Sequence, residues 1–164
     1  MHGHRLILDS MCGKLARWLR FLGIDALYVK DAHDDEIVLI AQQDDRILVT
    51  RDHALHDKAT KKGIKSILLD STDHVKNMTK ILKELGIEIV LPPKTTRCPI
   101  CNALLKEVHP LEVLDLLPSK DLAHRYERFW FCEKCKKVYW IGSHWKNIKK
   151  ILSKIEENIK KGVG

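Results

Sequence analysis

Short apolar runs and amphipathic stretches take turns along the first half of the chain. RLILD (5–9) is a compact apolar run closed by an acid, the pattern of a buried strand. The next stretch repeats Leu15, Trp18, Leu19 and Leu22 at helical spacing and stops at Gly23. Lys14, Arg17 and Arg20 fall off that apolar stripe, and Arg20 in particular reads as part of a solvated face. ALYV (26–29), RILVT (46–50) and KSILLD (65–70) repeat the strand pattern. Helical patterns lie over 34–45, 53–63 and 74–85, the last through Val75, Met78, Leu82 and Leu85 before Gly86. Strand–helix alternation with short connections predicts an α/β domain, a parallel sheet covered by helices.

IEIVL leads to Pro92-Pro93, where the pattern changes, and this places a boundary after residue 92. Residues 93–146 carry two C-x-x-C turns, in TTRCPICNALL and FWFCEKCKKVYW, separated by an excursion over 105–128 with no clear period. Residues 147–164 read as an amphipathic basic helix, with Ile148, Ile151, Leu152, Ile155 and Ile159 on one face and mostly lysine elsewhere. Three segments result: 1–92, 93–146 and 147–164.

Charge sharpens this division. The net charge of +7 falls entirely in the second half, because residues 1–92 balance and residues 93–164 carry the excess. A neutral half rich in acids joined to a basic half suits an enzyme that holds a polyanion. No apolar run is long enough to span a membrane and no signal peptide is visible, so a cytoplasmic location is expected. In a reducing compartment the paired cysteines favour metal over disulfides. Cys98, Cys101, Cys132 and Cys135 therefore predict one structural zinc site, each C-x-x-C turn giving two thiolates to a tetrahedral ion. The gap between the pairs is longer than in common ribbons, and an insertion between the knuckles would absorb it. Cys12 reads as an ordinary semi-buried cysteine.

The acids form a second pattern. Asp9 closes the first strand, Asp31, Asp34 and Asp35 follow the second, Asp52 follows the third, and Asp70 closes the fourth. In an open parallel sheet these positions share one edge, the carboxyl ends of the strands, where ligands bind. Crowded carboxylates raise one another's pKa, and a hard divalent cation such as Mg²⁺ or Mn²⁺ relieves that repulsion. No glycine-rich phosphate loop is present. Asp34 and Asp35 also sit where a helix start wants acids.

The set L-D-S-M-C-G-K-L-A-R-W-L-R-F-L-G, D-A-H-D-D-E-I, I-L-V-T-R-D-H-A-L, R-C-P-I-C-N and C-E-K-C-K-K-V-Y-W-I-G-S-H-W, in this order, resembles the Mut-seven carboxy-terminal ribonuclease family over about residues 5–146. The resemblance implies a PIN-like nuclease domain, a three-layer parallel sheet with helices on both faces, followed by a zinc ribbon. It implies a metal-dependent ribonuclease acting in RNA processing or decay and leaving a 5′-phosphate and a 3′-hydroxyl. Asp9, Asp34 with its neighbour Asp35, and Asp52 match the family's catalytic acids, and Asp9, Asp34 and Asp52 would hold Mg²⁺ or Mn²⁺. The fourth acid of such sites has two candidates here, Asp57 and Asp70. The family's tail is present as Tyr139, Trp140, Gly142, Ser143, His144 and Trp145.

RNA contacts are expected from Lys14, Arg17 and Arg51, which lie close in sequence to the acids, and from Trp140 and His144. Trp130, Tyr139, Trp140 and Trp145 suit either base stacking or the packing of a small ribbon with no other core. His53 and His56 read as helix-surface residues, and His2 and His4 as a terminus. Two other roles fit the same residues: an inactive RNA-binding or ribosome-associated adaptor, and a PIN-type toxin.

Overall fold

The computed structural model describes residues 3–143 and 145–162. His2, His144 and the side chain of Trp145 lie outside the described residues. Strands β1 (Arg5–Leu8), β2 (Asp25–Tyr28), β3 (Ile47–Thr50) and β4 (Ser66–Leu68) form a parallel sheet in the order β2-β1-β3-β4. Helices α1 (Gly13–Phe21) and α4 (His74–Leu85) cover one face, and α2 (Asp34–Gln43) and α3 (His53–Lys61) cover the other. Alternation along β1 shows why the strand is apolar throughout. Leu6 and Leu8 enter the α1–α4 core, and Ile7 enters the α2–α3 core. The expected three-layer α/β architecture is therefore the one observed.

Chain direction sets where chemistry can occur. The chain leaves β1 through α1 toward β2 on one side, and leaves β3 through α3 toward β4 on the other. The connections diverge between β1 and β3, the point of an open α/β sheet at whose carboxyl edge ligands characteristically bind.

The cysteine-bearing region forms an antiparallel sheet of β5 (Lys106–Val108), β6 (Phe129–Cys132) and β7 (Lys137–Trp140), in the order β5-β6-β7. The excursion over 105–128 is more than a connection. It supplies β5, a 3₁₀ stretch (Pro110–Leu116) and α5 (Leu122–Arg125), and its Val113 and Leu117 pack with Phe129 as the core of this small sheet. Helix α6 (Trp145–Lys160) then returns to the first sheet's territory. Its Leu152 and Ile155 are fully buried in the same cluster as Met78, Ile81 and Leu82 of α4, each contributing about 2 kcal/mol of apolar burial.

Polar bonds lock the ribbon onto the edge strand β2. Arg20 Nε donates to Ala26 O at 2.9 Å, and its Nη1 reaches Pro99 O at 2.7 Å. Asn102 Oδ1 accepts from Ala26 N at 3.1 Å, while Asn102 Nδ2 donates to Asp25 Oδ1 at 2.7 Å. The outward backbone groups of Ala26 on this open edge are thus satisfied by side chains, which blocks edge-to-edge pairing. Arg20 is 5% exposed, so its reading as a solvated residue is corrected. The helical period puts it beside the stripe, but a second module covers that flank. Gly23 permits the close approach. Its φ is 83°, and a Cβ there would lie 2.7 Å from Thr95 O.

Candidate functional site

Asp9 follows β1 and caps the 3₁₀ turn Ser10–Cys12, its Oδ1 accepting from Met11 N at 3.3 Å. Its Oδ2 accepts from Thr50 Oγ1 at 2.5 Å, and Thr50 Oγ1 in turn accepts from Asp52 N at 3.0 Å. This chain of bonds joins the carboxyl ends of the neighbouring strands β1 and β3. It fixes the rotamer of a carboxylate that is only 6% exposed. Cys12, fully buried, hydrogen-bonds Asp9 as well; burial first, then the Asp9 carboxylate, pushes its thiol up to about 12. It is more deeply buried than its sequence suggested.

Asp52 caps α3, accepting from Ala54 N at 2.9 Å and Leu55 N at 3.2 Å through one oxygen, Oδ1. Asp34 opens α2 and has no hydrogen bond or ion pair among the described residues. Asp35, next to it, points elsewhere: its carboxylate is 83% exposed and pairs with Lys58 Nζ at 2.6 Å. That hydrogen bond, with the charge of Lys58, holds the Asp35 carboxyl below its ordinary value. Asp70 lies beyond β4 and Asp57 within α3, both exposed.

Asp9, Asp34 and Asp52 thus follow β1, β2 and β3 at the carboxyl-terminal edge of the parallel sheet, and each offers carboxylate oxygens. Among the described residues their oxygens do not form a set drawn within 4.8 Å of one another.

The cysteines are different. The Sγ atoms of Cys98, Cys101, Cys132 and Cys135 all lie within 4.8 Å of one another. Cys98–Cys135 is 3.9 Å and Cys101–Cys132 is 3.5 Å. A tetrahedron with Zn–S bonds of about 2.3 Å has sulfur–sulfur edges of about 3.8 Å, so the donor set fits zinc. Both turns have the same build. Asn102 N bonds Cys98 O at 2.9 Å and Lys136 N bonds Cys132 O at 2.8 Å. Asn102 and Lys136, the residues after each second cysteine, take left-handed φ values of 69° and 57°. Burial would raise the Cys98 thiol, yet hydrogen bonds from Tyr139 Oη and the Cys101 and Ile100 amides bring it down to about 6. Cys135 is pushed up to about 12 by Cys101 first, then by burial and the other sulfurs. Four ionised sulfurs this close need a cation between them.

Lys14 and Arg17 are exposed on α1, and neither has an ion-pair partner among the described residues. Arg51 is half-buried and close enough to Cys12 to act on it electrostatically. Trp140 is half-buried, its ring centroid 6.2 Å from that of Phe129, so it belongs at least in part to the ribbon's core. Arg128 stacks over Trp130 at 5.0 Å. His56 is not simply a surface residue, since its Nδ1 meets Ser66 Oγ at 2.7 Å.

Sequence reasoning missed Thr50. The only signal was a hydroxyl two residues before the acid in T-R-D, and its partner Asp9 lies 41 residues away. It also missed Asn102, whose left-handed turn gave no reason to expect contacts with β2.

No helix among the described residues is long and apolar enough to cross a membrane. No curated protein and no solved structure matches the chain significantly. A family model described as the Mut7-C RNAse domain matches residues 4–152, nearly the whole chain, and covers both the acid-edged sheet and the four cysteines. The chain belongs to the Mut7-C RNAse domain family.

Proposed function

We propose that the protein is a metal-dependent ribonuclease that hydrolyses RNA phosphodiester bonds in cytoplasmic RNA processing or decay. The observation that carries this reading is the hydrogen-bonded bridge from Asp9 through Thr50 to the Asp52 amide, at the carboxyl edge where the sheet's connections diverge. Asp9, Asp34 and Asp52 would hold Mg²⁺ or Mn²⁺, which activates water and offsets charge developing at phosphorus. Thr50 and the Met11 amide orient Asp9, so its geometry is set before substrate arrives. Asp34 brings a carboxylate with no hydrogen bond or ion pair among the described residues, although it lies near enough to Lys58 to act on its charge. Asp35 adds negative charge nearby while its own oxygen is held by Lys58. Lys14, Arg17 and Arg51 contact phosphates flanking the scissile bond, Trp140 and His144 contact bases, and the four cysteines hold a structural Zn²⁺. Water adds to phosphorus, the bond to the 3′-oxygen breaks, and a 5′-phosphate and a 3′-hydroxyl result.

The test incubates the protein and its Asp9→Asn/Asp52→Asn double variant with structured and single-stranded RNAs, with and without Mn²⁺ or Mg²⁺. Metal-dependent cleavage by the unmodified chain alone is the expected result. Equal cleavage by both would place the chemistry elsewhere. Retention of RNA without cleavage would favour the binding adaptor.

A further inference from the structure

We propose that the cleft where α1, α6 and the ribbon meet holds one unpaired RNA base, with the adjoining phosphate on Arg17, and that this makes the protein selective for single strands. The proposal takes its substrate class from the ribonuclease reading. The cleft has a volume of about 230 Å³, and its walls include Phe21, Trp130, Tyr139, Trp140 and Ile148, with Arg17 at the rim. Pockets for drug-sized ligands run from about 300 to 1,000 Å³, so this smaller cleft suits a single flat ring system. Aromatic walls accept any base through its π face, and a duplex keeps its bases inside the stack, out of reach.

Charge identifies the occupant as a nucleotide rather than an apolar side chain. Two arginines border the cleft, and they differ. Arg97 is committed, its Nε donating to Gly23 O at 3.3 Å and its Nη1 to Asn102 O at 2.9 Å. Arg17 is exposed and has no hydrogen-bond or ion-pair partner among the described residues. Lys146, Lys149 and Lys150, near the start of α6, are likewise exposed and without ion-pair partners among those residues. Arg17 at the rim of an aromatic hollow, with these lysines on the same helix as the lining residue Ile148, matches a base with its phosphate and offers nothing to a purely apolar group.

Placement connects the cleft to the acids. Lys14 and Arg17 are three residues apart and share a face of α1. Helix α1 begins just after Asp9 and the short turn at the acidic edge, and Phe21 ends it beside the cleft. A helix of this length spans about 13 Å. A strand lying on the acids can therefore pass Lys14 and Arg17 and seat a neighbouring base against Trp140.

The experiment uses the full zinc-loaded chain carrying Asp9→Asn, without Mg²⁺ or Mn²⁺, titrated with a fluorescent single-stranded oligoribonucleotide and with a blunt duplex of the same sequence. Arg17→Glu and Trp140→Leu should each weaken single-strand binding about tenfold and change duplex binding little. Lys65→Glu, an equal charge change at the opposite edge of the sheet, should have a small effect on both. Crosslinking of a 4-thiouridine strand to the otherwise unmodified chain should map to Trp130, Tyr139 or Trp140, which decides the matter should Trp140→Leu fail to fold. Equal losses for Arg17→Glu and Lys65→Glu, or crosslinks confined to other surfaces, would overturn the proposal. Because no step here needs catalysis, a failed nuclease assay leaves this outcome untouched. A nuclease lacking these differences would retain its activity and lose its base cleft.

Discussion

The acidic edge and the cysteine cluster are both candidate metal sites, yet they are assembled by opposite means. Each cysteine pair is made by one tight turn, so half of the site exists wherever that turn forms. The edge acids come from three separate strand ends, and none is near another until the sheet is ordered β2-β1-β3-β4. The cysteines stand within 4.8 Å of one another, and the acids do not form such a set among the described residues. The surrounding cores differ as well. Two apolar clusters sandwich the parallel sheet, while the ribbon has Val113, Leu117 and Phe129. A site supported by a large core can wait for its ion, whereas a site with a small core needs the ion to fold.

The largest expected effect breaks the ribbon alone. Structural zinc contributes on the order of 10–16 kcal/mol to small metal-stapled modules. Cys132→Ser, or zinc chelation, should abolish amide protection around β6 and β7 while β1 and β3 stay protected in hydrogen exchange. Persistent protection in the ribbon would mean its small apolar core suffices.

Next comes the acid edge. Asp9→Asn should reduce cleavage by two orders of magnitude or more, on the scale of losing about 3 kcal/mol of transition-state stabilisation, with little change in melting temperature. Thr50→Val removes only the group that orients Asp9, and should cost about 10- to 100-fold in activity or metal affinity. A Thr50→Val enzyme with full activity would show that Asp9 needs no orientation.

Arg20→Met tests how far the two regions are independent. It leaves the carbonyls of Ala26 and Pro99 without their donor and should cost about 2–4 kcal/mol. Combined with zinc removal, the penalty should shrink, because an unfolded ribbon no longer presents Pro99. Strict additivity in denaturant titrations would argue that Arg20 stabilises the first sheet only.

A smaller effect is expected at Asp25. Partial burial would raise its carboxyl, but hydrogen bonds from Arg46 at 2.8 Å and from Asn102 hold it below its ordinary value of 3.8. Its folded pKa is depressed, so its contribution is present above the unfolded value and lost as pH falls below 3.8 through the folded one. Asp25→Asn should flatten that acid limb of the stability curve and leave the slope at neutral pH unchanged. Smallest of all, Asp35→Asn should alter cleavage far less than Asp34→Asn, because Lys58 already occupies Asp35.

The four-cysteine cluster and the layered α/β fold were legible along the chain because both are written at short range. Two residues between cysteines set a knuckle, and a period of two or of 3.6 sets which face of an element is buried. The edge position of Asp9, Asp34 and Asp52 was legible one step less directly, through the rule that parallel strands share their carboxyl ends. Only the tertiary structure could decide the rest. Arg20 looks solvated on its own helix, and it is buried because a module 79 residues away along the chain covers it with Pro99. Asp34 and its neighbour Asp35 both open α2, and α3 distinguishes them by pairing Lys58 with Asp35. Thr50 becomes part of the site only because β3 lies next to β1. Local sequence sets the conformation of each element and its apolar face, and partners distant along the chain set which of the remaining polar groups are exposed, paired or buried.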